Sequence, residues 1–459
     1  MLNLASHQKQ EKSKRLYEEA TEVIPGGVTA NIKYFSPYPI FMKKGYGSKL
    51  LDVDDQEYID YSLCYGALIT GHGDPRITKA ATEMMNTIGT TIFGTPHELE
   101  VTMAQKLIDL YPGIDQVRFT NSGLEATLFA NRLAISYTGK RKIAKFEGHY
   151  HGGYNQVLIS VSPNEQEAGK HSEPHSVVES KGISKEEIEN TIVLPFNDLE
   201  ATELLLKKHA DELAAVIMEP IQGGFIPADH TFMQGLRKIT DDLNILLIFD
   251  EVKTGFRVGL GGAQSIYNVQ PDLTALGKVL GGGFPIGAVG GRKDIMQLSA
   301  ASEDSDVFSF GGKRKRKDET VFHSGTYNGH PIVLAAGLET IRILEEAKTM
   351  QQLFSKTMIL RMELEKLYKK YNVTMKTIGL GSIFNIVLTD QPIINYRDMW
   401  KSDNKLREKI DMELLRLGIY LKPLNRYSLS TAHSTTDIDQ TVRAHEIALK
   451  RVIRKINKT

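Results

Sequence analysis

The sequence predicts an α/β fold: a mostly parallel sheet wrapped by helices in a large domain, plus a small α+β domain built from both chain ends. Three observations predict it. Beyond about Gly66, helical stretches alternate with short apolar runs of strand length. One of these runs, Ile245 to Phe249, stops abruptly at two carboxylates, Asp250 and Glu251. Finally, 459 residues are long for one compact core and suggest roughly two domains. The expected division is 1–64 for an N-terminal arm with part of the small domain, 65–330 for the large ligand-binding domain, and 331–459 for the rest of the small domain.

Taken in order, Gln8 to Val23 has the pattern of an amphipathic helix and meets the breakers Pro25-Gly26-Gly27. Lys49 to Val53 and Tyr58 to Tyr61 flank the polar turn Asp54-Asp55-Gln56 and read as a hairpin. Val117 to Thr120, Ile143 to Phe146, Ala214 to Met218 and Ile245 to Phe249 supply the parallel sheet. Ligands of such sheets collect at the carboxyl ends of the strands, where helix N-termini aim amides at anions.

Composition narrows the function. Fifty-six basic and 56 acidic residues cancel to a net charge of zero, which leaves no field to concentrate nucleic acid or an acidic membrane. Cys64 is the single cysteine, so no intramolecular disulfide forms, and the polar N-terminus lacks a secretory core. The expected compartment is the cytoplasm. No apolar stretch approaches the roughly 20 residues that span a bilayer.

Three constellations carry chemistry. After Val117 to Thr120 come Asn121, Ser122 and Gly123 and a helix to about Tyr137, so Ser122 and the amides of Gly123 and Leu124 can face a phosphate. An ordinary N-cap explains Ser122 as well. Asp250, at the end of an apolar run, needs a partner; a protonated pyridine nitrogen is one, and a metal or a helix cap are the others. No histidine cluster with zinc spacing accompanies it, so no metal is expected. Pro271 to Gly277 then delivers Lys278 into the glycine-dense turn Gly281-Gly282-Gly283. Lysine condenses with aldehydes, and glycines let a ligand approach the backbone.

Together with Phe119 to Gly123, Phe146 to Gly152, Met218-Glu219-Pro220, Phe249 to Val252, Thr254 to Arg257 and Ser324-Gly325-Thr326, these motifs stand in an order that resembles the class-III aminotransferases dependent on pyridoxal 5′-phosphate (PLP). The likeness is to the glutamate-1-semialdehyde aminomutase branch in particular and spans almost the whole chain. It implies the PLP-dependent transferase fold type I. It also implies that Lys278 holds the cofactor as a Schiff base and moves protons, Asp250 holds the pyridinium, and Tyr150 and Val252 cover the ring faces. Ser122, Gly123 and Leu124 would hold the phosphate, with Thr326 completing the site from the second subunit of a homodimer. The substrates would be small amino and keto acids, exchanged by a ping-pong mechanism.

Departures from the family pattern are equally informative. Leu124 stands where threonine is usual, Lys253 where many relatives carry glutamine, and Lys33 where the aminomutases carry an arginine for the substrate carboxylate. Lysine does not reproduce a guanidinium fork, so the sequence favours an aminotransferase over the aminomutase. Arg426 is the other candidate carboxylate contact, with Glu219 as its possible counter-ion. His149, His151, His323 and His330 read as hydrogen bonders that line the site. Ser162 to Glu187 reads as a mobile flap, and the basic run Lys313 to Lys317 as a solvated loop. A PLP-binding paralogue without catalysis is the outside alternative, opposed by the joint presence of Lys278, Asp250 and Tyr150. A nucleotide-dependent oxidoreductase is opposed by the placing of the glycine clusters.

Overall fold

A computed structural model of the chain describes residues 10–302 and 319–456, so the basic run Lys313 to Lys317 lies outside the described residues. Two compact units divide the chain. The larger takes Arg76–Glu345 and Pro392–Trp400; the smaller takes Met1–Pro75, Glu346–Gln391 and Lys401–Thr459.

Both junctions lie downstream of the expected 64/65 and 330/331, for separate reasons. Residues 65–75 stay with the N-terminal strands because His72 exchanges two backbone hydrogen bonds with Gly47, at 2.8 and 2.7 Å, and sets its ring 2.8 Å from Asp60. The helix Pro331–Glu345 stays with the large unit because Ala336 and Ile343 pack on Ile77 and Ala81.

The large unit is built on seven strands: β1 (Gln116–Thr120), β2 (Lys142–Phe146), β3 (Thr191–Leu194), β4 (Leu213–Met218), β5 (Leu246–Asp250), β6 (Leu273–Gly277) and β7 (Gly287–Gly291). Their order in the sheet is β1-β7-β6-β5-β4-β2-β3. All neighbours are parallel except β7, which runs against both β6 and β1. Strands β4 and β5 are buried along their whole length, which is why they read as unbroken apolar runs. Helix α1 (Gly123–Thr138) lays Ala126, Ala130, Leu133 and Ala134 against the sheet at helical spacing, and the three alanines allow close approach. Strand β7, Gly-Ala-Val-Gly-Gly, escaped the apolar pattern because its glycines are steric requirements. A Cβ on Gly287 would stand 2.1 Å from the Ser122 carbonyl oxygen, and one on Gly291 2.4 Å from that of Asp272.

The segment read as a mobile flap is tied down. Its hairpin pairs Gly169–Lys170 with Glu173–Pro174. Arg397 donates to the carbonyls of Gly169 and Ala168 at 2.8 and 2.9 Å while forking onto Glu147 at 2.6 and 2.9 Å. Ser162 is held by both oxygens of Glu179, at 2.7 and 2.8 Å.

The small unit contains the expected helix, Glu11–Val23, and the expected hairpin, with Leu50 opposite Tyr58. Ile419–Tyr420 from the other end of the chain joins that hairpin in parallel, Ile419 beside Ile59, so both chain ends share one sheet. A second sheet orders Lys376–Leu380, Ile383–Val387 and Tyr427–Ser428. Among the described residues no helix is long and apolar enough to cross a membrane.

Candidate active site

Because β7 opposes both its neighbours, β1 and β6 run in the same sense as β5, and their carboxyl ends share one edge of the sheet. At that edge a cavity of about 210 Å³ brings together Gly123, Leu124, Tyr150, Asp250, Val252 and Lys278. His151, Gly152 and Lys253 complete its wall.

Ser122 acts as the N-cap of α1, its hydroxyl oxygen accepting the N–H of Glu125 at 3.2 Å. The first amides of a helix have no intrahelical acceptor, so those of Gly123 and Leu124, in the cavity wall, are able to donate to an anion. Gly123 is required there: a Cβ would lie 2.6 and 2.8 Å from the two methyls of Val252.

Asp250, at the end of β5, is 4% exposed. One carboxylate oxygen accepts the N–H of Val252 at 3.0 Å, and the other lies 2.8 Å from Nδ1 of His151. Lys278 follows β6 with φ 48°, in the left-handed region that a lysine seldom occupies. Such strain gathers at functional sites, where the surrounding fold holds it.

Tyr150 is 46% exposed while its N–H is held at 3.0 Å by Glu219. Glu219 itself stands behind the cavity wall, 1% exposed, and its cationic partner is Lys253, not the arginine anticipated from the sequence. Burial pushes the Glu219 carboxyl up, but the Lys253 ammonium beside it reverses this and holds it well below the usual carboxylate range.

The remaining expected residues are not among those that line this cavity. Thr326 is exposed on a turn whose Asn328 accepts from the Asn121 side chain at 3.0 Å. Lys33 and Arg426 belong to the small unit, where Lys33 bonds Thr29 at 2.7 Å and Arg426 the Tyr65 carbonyl at 3.2 Å. Lys33 lines a separate cavity of about 540 Å³ there. Of the four histidines, His151 lines the site and His149 backs it, whereas His323 packs on Phe129 with ring centroids 4.3 Å apart and His330, whose carbonyl accepts the Leu334 N–H at the start of the helix Pro331–Glu345, does not line it. No group of metal ligands exists among the described residues. Sequence reasoning left Lys253 without a role; its signal was a cation one residue beyond Val252, inside an otherwise family-like motif.

Residues 33–445 match the family Aminotransferase class-III. The chain belongs to that family. It is 40% identical over 447 residues to the glutamate-1-semialdehyde 2,1-aminomutase of Methanobrevibacter smithii, covering 96% of this chain and 99% of that one. An omega-transaminase from Sphaerobacter thermophilus superimposes with a TM-score of 0.88 at 35% identity, over 96% of this chain and 97% of that one. A transaminase with PLP bound gives 0.86 at 31% identity, over 98% and 99%.

The class-III aminotransferase is an enzyme, and its cofactor is PLP. The cavity fits that group on three counts. A buried carboxylate, Asp250, lies in its wall to meet a pyridinium, a helix N-terminus offers amides to a phosphate, and Lys278 offers an amine to an aldehyde. PLP, when bound, supplies an aldehyde that condenses with amines and a ring that withdraws electrons from the substrate.

Proposed function

We propose that the chain transfers amino groups between an amino acid or amine and a keto or aldehyde acceptor by a two-stage, ping-pong exchange, with Lys278 as its proton carrier. The observation that carries this reading is the convergence of Lys278 and Asp250 on one cavity beside the N-terminus of α1. In this reading Lys278 Nζ takes the proton from the substrate Cα and returns it at the carbon that held the aldehyde. Asp250, fixed by Val252 and His151, would hold the ring nitrogen of the cofactor. Tyr150 and Val252 would bound the cofactor ring, Gly123 and Leu124 would present amides to its phosphate, and Ser122 holds that helix end in shape.

Thr326, outside the cavity wall of its own chain, is assigned to the phosphate of a neighbouring subunit, which makes the functional unit a homodimer. Lys33 and Arg426 are the candidate substrate-carboxylate contacts, and the cytoplasm is the proposed compartment. A second reading, intramolecular transfer that converts glutamate 1-semialdehyde to 5-aminolevulinate, is supported by the name of the 40% identical relative. Lys33 in place of arginine weighs against it.

The test is a visible absorption spectrum of the protein and of Lys278→Ala with added PLP, followed by a panel of amino acids. A visible band that depends on Lys278 and bleaches with amino acids supports intermolecular transfer. Turnover of the semialdehyde without a keto acceptor moves the assignment to the aminomutase. Absence of any lysine-dependent band overturns both and leaves a paralogue without catalysis.

A further inference from the structure

Behind the cavity, Nε2 of His149 and Nε2 of His151 are buried and have no hydrogen-bond partner. The two residues are 0% and 2% exposed, and their ring centroids lie 5.9 Å apart. A polar atom buried in this way loses its hydration without recompense, so native structures rarely leave one unsatisfied. Here two occur side by side.

The other nitrogen of each ring fixes what the orphan atom is. His149 Nδ1 accepts the backbone N–H of Glu219 at 3.0 Å, so the hydrogen of the neutral ring sits on Nε2, a donor. His151 Nδ1 lies 2.8 Å from Asp250, whose carboxylate only accepts, so in the neutral ring the hydrogen sits on Nδ1 and Nε2 keeps a lone pair. The orphans are complementary. A water can accept from the one nitrogen and donate to the other, each at about 2.8–3.0 Å. Phe146 and Phe196 pack on His149 with centroids at 5.4 and 4.8 Å, so its apolar surroundings offer no other partner.

We infer that one buried water bridges His149 Nε2 and His151 Nε2, and that His151 is a positioning residue for the Asp250 carboxylate. The water closes a hydrogen-bonded chain from the Glu219 amide through His149 and His151 to Asp250. Buried waters that satisfy such groups are part of the fold and costly to remove. The chain prevents His151 from turning, and a fixed His151 together with the Val252 N–H prevents the carboxylate from rotating away from the cavity. The positioning role rests on the PLP reading above, whereas the water and the tautomers do not.

The test uses the full chain. A high-resolution crystal structure should place one water within hydrogen-bonding distance of both nitrogens. Nitrogen-15 imidazole spectra of histidine-labelled protein should show His149 as the Nε2–H tautomer and His151 as the Nδ1–H tautomer. A dry gap, or a hydrogen on Nε2 of His151, overturns the inference whether or not any variant folds. For positioning, PLP affinity and the visible band are read in His151→Phe, which removes the donor to Asp250, and in His151→Asn, whose amide nitrogen replaces Nδ1. His151→Phe should bind PLP about 10- to 100-fold more weakly with a displaced band, and His151→Asn should recover most of both. Wild-type affinity and spectrum in His151→Phe overturn the positioning role. If the unaltered protein takes up no PLP through Lys278, the proposed function fails instead.

Discussion

Lys253 sets its ammonium against the carboxylate of Glu219, and the same carboxylate accepts the backbone N–H of Tyr150 at 3.0 Å. The pair therefore connects a cation in the cavity wall to the residue that bounds one side of the site. The Lys253 ammonium also lies 5.5 Å from the centre of the Tyr150 ring, within reach of a cation–π contact. The Lys253 and Glu219 side chains are 13% and 2% exposed, so neither charge is well solvated.

Removing one partner of such a pair strands the other. Lys253→Met is expected to destabilise the protein by about 3–5 kcal/mol, because the Glu219 carboxylate keeps its burial and loses its counter-ion. Glu219→Gln combined with Lys253→Met should recover much of that loss. Thermal unfolding of the two single variants and the double variant measures the coupling; additive losses would show that the pair does not act as a unit.

At the phosphate end the constraint is steric. Gly123→Ala sets a methyl within 2.6 Å of a Val252 methyl, so either Val252 shifts into the cavity or the helix start retreats from it. Overpacking of this kind costs about 1–3 kcal/mol, and PLP affinity should fall by about tenfold. Gly123→Ala with Val252→Ala restores room and should regain affinity in a spectrophotometric titration. A double variant no better than the single one would mean that backbone conformation, not contact, governs the site.

The strands that position the site were legible because burial on both faces writes unbroken apolar runs, as in Leu246 to Phe249, and because the chemical residues follow those runs directly. Strand β7 was not legible, since close backbone contact demands glycine where strand propensity demands bulk. Glu219 was misread for a different reason. Sequence order says that it follows β4, but nothing in that order says that the nearest cation is Lys253, 34 residues later on the neighbouring β5 connection. Polarity in Ser162 to Glu187 suggested freedom, whereas Arg397, more than two hundred residues on, closes on that backbone.

That strap makes its own prediction. Arg397 spends one guanidinium on Glu147 and on the carbonyls of Ala168 and Gly169, a planar fork that lysine does not copy. Arg397→Ala and Arg397→Lys should both open the segment to trypsin at Lys170 and Lys181, at protease levels that leave the unaltered protein intact. Cleavage is read by mass spectrometry. Equal resistance of all three proteins would assign the order of the segment to its own hairpin and to Glu179.

Lys145 gives the fold a pH dependence of predictable sign. It is fully buried on β2, its ammonium donating to the Ile159 carbonyl. Burial pulls its pKa down to about 7, against the opposing pull of Glu219, Glu179 and Glu147. An unfolded lysine titrates near about 10.4. Between these values the unfolded chain holds a proton that the folded chain has released, so this group makes stability rise with pH from about 7 to about 10.4 and adds no slope outside that window. Lys145→Met carries no proton in either state and leaves the Ile159 carbonyl unpaired by the same amount at every pH. The melting temperature of Lys145→Met relative to the unaltered protein should therefore be highest at about pH 7 and decline steadily towards about pH 10. A constant difference across that range would mean that Lys145 stays protonated in the fold, held by its three carboxylates against the cost of burial.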